Sequence, residues 1–566
     1  MQLIPEPKKV KSTAGNCPID IEAQILIGEG DLPSEGYQLT ISPDAITIEA
    51  RDPAGAFYGT QTLEQLRELS DGTQLDCQKI SDHPDFPVRG YMLDISRDRV
   101  PTMDHLRRLI DMLAKLRYNQ LQLYTEHTFA YAGHETVWGM ASPMTADEIE
   151  SLDAYCQERH IELVANQNSF GHMERWLKHP EYQHLAECPD GFDHPSGERR
   201  TAGSVLRPNE QSLQFLGELY AELLPHFSSH KINIGGDEPW ELGLGWSAPL
   251  VEVEGKHTVY VRFLRRICEL AEQHGAQALC WADILLEHPE FIDELPKTVT
   301  PIIWGYEPNH AFDRQCEVFS EADHPFYVAP GDSTWNSFTG RFRSMIENVR
   351  SATRHALRHK AKGVLMTHWG DNGHQQPWPT AFPGMVACGL FSWNGDAPSN
   401  LDIKRQINHL FFRDENDTAA GILLELSDLD HPIPVKLPNQ SFLSASVRMN
   451  PPELKAKLED CPDTPLNDLI TQTWEWEAAL SKCKLEAPDA PWLIEELSWM
   501  IAMSRWAAQR CLAIKTAPSI ENFSLSSSLK SDLSHLIGVF ETTWVCRSRV
   551  GGLVESSGRL RTLLAE

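Results

Sequence analysis

The chain has 566 residues, 41% hydrophobic and 23% charged, a composition that excludes a disordered chain and a length that exceeds one ordinary domain. Its formal net charge of -30, from 50 basic and 80 acidic residues, excludes a partner held by bulk positive charge, nucleic acid above all. No apolar run is long enough for a membrane span, and the opening "MQLIPEPKKVKSTAGN" has no apolar leader core. The twelve cysteines are scattered, with no CxxC pair, so the expected setting is a reducing cytoplasm.

Residues 1–85 predict a small α+β domain. "YQLTISPDAITIEA" alternates as two strands around a "PDA" turn, and "AGAFYGTQTLEQLREL" follows as a helix with Leu63, Leu66 and Leu69 on one face. "SDHPDFP" reads as a linker. From Val88 the pattern changes, and short apolar runs alternate with amphipathic helices. The runs are "VRGYMLDIS", "LQLYTE", "IELVANQ", "KINIGGDE", "ALCWADIL", "PIIWGY", "FYVAPGD" and "GVLMTHWGD". Eight strand–helix units over roughly 310 residues predict a (β/α)8 TIM barrel across residues 86–400. A doubly wound sheet is the alternative, but no GxGxxG loop follows the first strand. Residues 401–566 are Trp-rich and helical in pattern, with no repeat and no catalytic motif.

A barrel gathers its chemistry at the C-terminal ends of its strands. Arg89 lies early in the first strand and Asp94 near its end, and Glu126 closes the second. His172 stands in the long loop after the third, and Asp237 and Glu238 end the fourth. Trp281 and Asp283 lie in the fifth strand and Trp304 in the sixth; Asp332 and Trp335 follow the seventh, and Trp369 and Asp371 end the eighth. A ring of acids and tryptophans suits a sugar, because carboxylates hold hydroxyls and indole faces pack on the apolar side of a pyranose. Each has a structural alternative: an acid pair often opens a helix, a lone arginine often makes an internal ion pair, and a strand tryptophan is often core. No HExxH or zinc-deaminase pattern is present, so no metal and no cofactor are expected.

The segment "INIGGDE" resembles the signature of glycoside hydrolase family 20, the β-N-acetylhexosaminidases. "AGAFYGTQTLEQL", "FPVRGYMLDISRD" and "FGHMERWLKHPEYQHLAE" resemble further segments of that family in the same order, the last closest to its hexosaminidase D branch. The resemblance spans about residues 1–400 and implies exo-acting, retaining, substrate-assisted hydrolysis of terminal β-linked GlcNAc or GalNAc. The substrate implied is an oligosaccharide or glycoconjugate ending in an N-acetylhexosamine. By resemblance Glu238 is the general acid and base, and Asp237 holds the acetamido N–H and balances an oxazolinium intermediate. Arg89 is implied for the C3 and C4 hydroxyls, His172 as a hydrogen-bonding support, and Trp281, Trp304 and Trp369 as walls. Asp371 stands where many relatives carry Glu, Asn233 replaces a usual His, and Asp98 replaces a His common after "SR". Glu126 departs from the common second-strand pattern. The tyrosine that usually holds the acetamido oxygen is not evident near Trp335.

Two other classes stay open on the residues alone. One is a two-carboxylate retaining glycosidase with Glu126 or Asp371 as nucleophile. The other is a non-catalytic sugar-binding protein on the same scaffold.

Overall fold

The computed structural model describes residues 3–28, 31–70, 72–395, 402–521 and 523–566. The expected boundary at residues 400 and 401 lies outside them. The N-terminal part is a five-stranded sheet of β1 (Lys9–Pro18), β2 (Ala23–Ile27), β3 (Tyr37–Ser42), β4 (Ala45–Ala50) and β5 (Gln74–Asp82), in the order β1-β5-β3-β4-β2. Ser42 pairs with Ala45, so Pro43 and Asp44 alone make the hairpin turn. Alternate residues of β3 are buried, as period-two patterning requires. The helix Pro53–Leu69 crosses this sheet. Asp52 caps it by accepting from the Gly55 N–H at 2.9 Å, and Pro53 stands at its first turn. Leu63 is buried, while Leu66 and Leu69 are half-buried.

Eight parallel strands then close a barrel. They are β6 (Val88–Asp94), β7 (Gln120–Tyr124), β8 (Glu162–Asn166), β11 (Lys231–Asn233), β12 (Gln277–Trp281), β13 (Thr300–Trp304), β14 (Tyr327–Ala329) and β15 (Gly363–His368). A two-residue-stranded hairpin, β9 (Phe192–Asp193) and β10 (Arg199–Arg200), interrupts the long loop after β8. The barrel strands are almost wholly buried, the expected state for a parallel sheet wrapped in helices.

Arg89 is not at the C-terminal mouth of the barrel, where the resemblance would need it. Five residues at ~3.3 Å each place it about 16 Å below Asp94, at the opposite mouth of the barrel. There it is fully buried and donates to the carbonyls of Arg117 (2.7 Å) and Phe86 (2.8 Å) and to the Tyr58 hydroxyl (3.2 Å). It pairs with Glu35 and lies over the Trp393 ring, 5.1 Å from its centroid. Arg89 therefore joins the helix and the loop before β3 of the N-terminal part to the barrel, the structural alternative for a lone arginine.

The C-terminal part is helical, with long helices Thr464–Leu480, Ala490–Thr516 and Ser527–Arg547 and a short one at Leu553–Arg561. It shares one continuous apolar core with the barrel. Arg547 fixes its centre through Glu496 (two bonds of 2.8 Å) and Asp489 (2.7 Å). Among the described residues, no helix is long and apolar enough to cross a membrane.

Candidate active site

The site begins at the end of β6. Asp94 Oδ1 accepts from the backbone N–H groups of Ser96 and Arg97, and its Oδ2 accepts from Arg97 Nη1 and the Gly370 N–H, both at 3.0 Å. One buried carboxylate thus clamps the first and eighth strand-end loops together. Arg97 is turned into the cavity, between the Tyr124 and Trp369 rings (4.5 and 5.0 Å to their centroids), with Nε 3.2 Å from Glu126 Oε1. Glu126 also accepts from the Tyr124 hydroxyl at 3.0 Å.

The acid pair lies beyond the end of β11. Regular pairing stops at Asn233, and Gly235 and Gly236 follow with φ of +73° and +96°, a region open to glycine. Glu238 itself sits at φ +48°. This break removes the alternation that would send adjacent side chains to opposite faces. The Glu238 N–H donates to Asp283 Oδ2 at 3.2 Å; Asp283 opens the short helix after β12 rather than lying in the strand. Gly171 lets the third loop approach, because a Cβ there would meet the Asp237 carbonyl oxygen at 2.7 Å. That approach sets His172 Nε2 at 3.1 Å from Asp237 Oδ2 and 3.9 Å from Glu238 Oε2.

Glu126, expected at the substrate, stands behind Arg97 and lines a neighbouring hollow instead. Arg97, His172, Asp237 and Glu238 line a cavity of about 180 Å³. Trp281, Trp304, Trp335 and Trp369 wall it, together with Asp371. Tyr306, just past β13, joins them: its hydroxyl accepts from Trp369 Nε1 at 2.8 Å, and its ring stacks on Trp304 at 5.4 Å. Asn439, from the C-terminal part, closes the rim, held by Arg341 at 3.1 Å. Asp332 is absent from the lining, since it is buried against His368 Nδ1 at 2.6 Å. Three cavity residues had escaped the sequence reading. Arg97 carried a signal, standing three residues after Asp94; Tyr306 had only its place after a strand, and Asn439 had none.

The electrostatics divide the acids by role. Burial pushes the Glu238 carboxyl above the usual range; nearby His172 opposes this and Asp237 adds to it. Burial also raises Asp371, against Arg97. Burial, then the Asp237 charge, pushes Asp283 up to about 7. Burial opposes charging His172, but Asp237 overrides it and holds the imidazole up at about 9. Asp237 Oδ1 is buried and has no hydrogen-bond partner. His172, Asp237 and Glu238 bring ligand-type atoms within 4.8 Å of one another, a set able to hold a metal ion. Here the imidazolium already supplies a positive charge to Asp237.

The profile of the catalytic domain of glycosyl hydrolase family 20 matches residues 86–376, and that of the family's domain 2 matches residues 12–83. The chain belongs to glycosyl hydrolase family 20. A β-hexosaminidase of Akkermansia muciniphila is 28% identical over 271 residues, covering 42% of this chain and 52% of that protein. The β-hexosaminidase subunit alpha of Mus musculus is 29% identical over 219 residues, covering 36% and 40%. The chain thus spans about half or less of the length of these relatives. In fold, this family 20 chain is similar to a β-N-acetylhexosaminidase of Bacteroides fragilis (TM-score 0.59, 19% identity, 72% of this chain and 94% of that one). It is similar over 99% of both chains to a chitobiase of Flavobacterium johnsoniae (TM-score 0.61, 17% identity). A third likeness is to an exo β-N-acetylglucosaminidase of Vibrio harveyi in complex with N-acetylglucosamine (TM-score 0.59, 17% identity, 72% and 77%).

Proposed function

We propose that this family 20 chain is an exo-acting, retaining β-N-acetylhexosaminidase that removes terminal β-linked GlcNAc or GalNAc from an oligosaccharide or glycoconjugate. Asp237 carries the reading. Its Oδ1 is a buried, unpaired acceptor inside an aromatic cavity, beside an acid whose proton is held by burial. A buried acceptor without a partner is costly, and a substrate amide N–H relieves that cost.

Glu238 protonates the glycosidic oxygen as the bond to C1 breaks. The carbonyl oxygen of the sugar's own 2-acetamido group attacks C1 and forms an oxazolinium ion. Asp237 accepts the acetamido N–H and opposes the positive charge, while His172 fixes the Asp237 carboxylate. Glu238, now ionised, takes a proton from water as that water attacks C1, and two inversions leave the configuration retained. Arg97 replaces Arg89 as the group directed at ring hydroxyls, and Tyr306 supplies a hydroxyl towards the acetamido oxygen. Trp281, Trp304, Trp335 and Trp369 enclose a space the size of one sugar, which supports exo action.

Two observations weigh against a second carboxylate as nucleophile. Glu126 is engaged by Arg97 and Tyr124, and Asp371 is held towards its neutral form by burial. Matched aryl glycosides with and without the 2-acetamido group provide the test. Comparable rates on both would replace this mechanism with the two-carboxylate one. No turnover of either would leave a sugar-binding protein.

A further inference from the structure

Two buried glutamates cross between the turn that carries the acid pair and the third loop, which carries His172. Glu241 stands three residues after Glu238 and is fully buried. Its Oε1 accepts from the Ser204 N–H and, at 2.7 Å, from the Ser204 hydroxyl. Ser204 in turn backs the His172 turn. Its carbonyl accepts from the Met173 N–H at 2.8 Å, and the Phe170 carbonyl accepts from the Leu206 N–H at 2.9 Å. Gly171 and His172 bulge from between those two bonds.

Glu187, also fully buried, crosses in the opposite direction. Its N–H donates to the Val205 carbonyl at 2.8 Å. Its carboxylate accepts from the Ser247 N–H (2.9 Å) and hydroxyl (2.6 Å) and from the Gly245 N–H (3.2 Å). Neither glutamate lines the sugar cavity.

Glu241 is kept at a cost. Its Oε2 is buried with no hydrogen-bond partner, and burial pushes the carboxyl up to about 7 against the Ser204 donors. An apolar side chain would fill the same space, but it would offer Ser204 no acceptor. The two turns that Glu241 joins are themselves unfavourable. His172 sits at φ +56° and Glu238 at φ +48°, conformations that persist only where the surroundings over-determine them.

We propose that Glu241 is a positioning residue: by gripping Ser204 from the acid pair's own turn, it holds His172 against Asp237 and Glu238. The path from Glu238 through Glu241, Ser204 and Met173 to His172 fixes the separation of the two turns. Its effect on catalysis rests on the hexosaminidase reading above; its effect on His172 does not.

The test uses the aryl N-acetylhexosaminide that the wild type cleaves best. Glu241→Ala should lower kcat by about tenfold to a hundredfold, the scale of a misplaced catalytic group. In a His172→Gln background the same change should cost about twofold or less, because its effect has already been removed. Glu241→Gln keeps Oε1 as an acceptor and imitates the uncharged acid, so it should restore most of the rate lost in Glu241→Ala. The imidazole of His172, followed by NMR, should titrate at about 9 in the wild type and lower in Glu241→Ala, as Asp237 recedes from it. A purely structural role would leave that titration in place. If thermal denaturation shows that Glu241→Ala does not fold, Ser204→Ala removes one of the two bonds and takes its place in the cycle, with a smaller loss and the same dependence on His172. The full loss persisting in the His172→Gln background, or an unmoved His172 titration in the folded variant, would overturn the proposal. If the wild type cleaves no aryl N-acetylhexosaminide, the hexosaminidase reading fails, and the His172 titration still decides whether Glu241 holds that residue.

Discussion

His172 Nε2 and Asp237 Oδ2 stand 3.1 Å apart, and the same nitrogen faces Glu238 Oε2 at 3.9 Å. The imidazolium therefore acts on both acids, and it lowers the carboxyl pKa of Glu238, which burial has raised. The proposed mechanism needs Glu238 protonated, so kcat/KM should fall as pH rises through that raised pKa. His172→Gln removes the opposing positive charge. The alkaline limb of the kcat/KM–pH profile should then move to higher pH. A limb that stays put or moves to lower pH would show that His172 does not act on Glu238.

Asp237→Asn keeps the shape of the side chain and removes its charge. A thiazoline analogue of the oxazolinium ion should lose about tenfold to a hundredfold in affinity, the value of ~1.5–3 kcal/mol for a charge-assisted hydrogen bond. Binding of plain N-acetylhexosamine should change much less, and kcat should fall with a modest change in KM. Inhibition constants for the two ligands decide it, and equal losses would remove Asp237 from the charge-balancing role.

Glu238→Gln should divide substrates by leaving group. General acid assistance is typically worth about 10²–10⁴-fold, and an alkoxide leaving group needs it where an activated phenolate does not. Turnover of a disaccharide should therefore collapse while a dinitrophenyl glycoside retains a measurable rate. Small, equal losses on both would assign the acid elsewhere.

Arg89 and Arg97 should part cleanly. Arg89→Ala empties a fully buried position and leaves Glu35, partly exposed, with the Asn119 amide as its remaining donor, a loss of about 2–3 kcal/mol. Denaturant unfolding should show that loss, while activity per folded molecule stays near wild type. Arg97→Ala should do the reverse: kcat/KM falls by about tenfold to a hundredfold as contacts to the terminal sugar disappear, with a smaller effect on stability. A fold-neutral Arg89→Ala variant with raised KM would reinstate Arg89 at the sugar.

Asp283 makes a linked prediction about stability. Its carboxyl titrates at about 7 in the folded chain, above the ordinary value for aspartate. The folded state thus holds a proton that the unfolded state gives up, and this contribution to stability is lost as pH rises towards 7. Asp283→Asn keeps an acceptor for the Glu238 N–H and cannot ionise. Its Tm relative to wild type should be higher at pH 8 than at pH 5, as measured by thermal denaturation at both.

The eight strands and the acid pair were legible because both are local patterns: apolar runs between amphipathic helices, and "INIGGDE" at a strand end. Arg89 and Arg97 show where locality fails. One opens and the other follows the same short strand, and only the rise per residue decides which reaches the C-terminal mouth. Asp94 turns the chain there and aims Arg97 inward. Periodicity correctly marked the C-terminal part as helical, but it says nothing about which barrel loop a helix will dock against. Asn439 was therefore invisible until the packing was known. Tyr306 is hidden for a related reason, because only the packing of the sixth strand-end loop against Trp369 and Trp304 brings it to the cavity.

Ser556, in the helix Leu553–Arg561, donates to the carbonyl of Gly373 in the eighth strand-end loop, a contact that waits on the order in which the chain is made. A ribosome delivers every barrel strand by His368, and both acids well before that. Asn439 emerges later, and Ser556 later still. Asn439, which lines the cavity of Asp237 and Glu238, is thus made only after all eight strands, and the core that the barrel shares with the C-terminal helices is filled last.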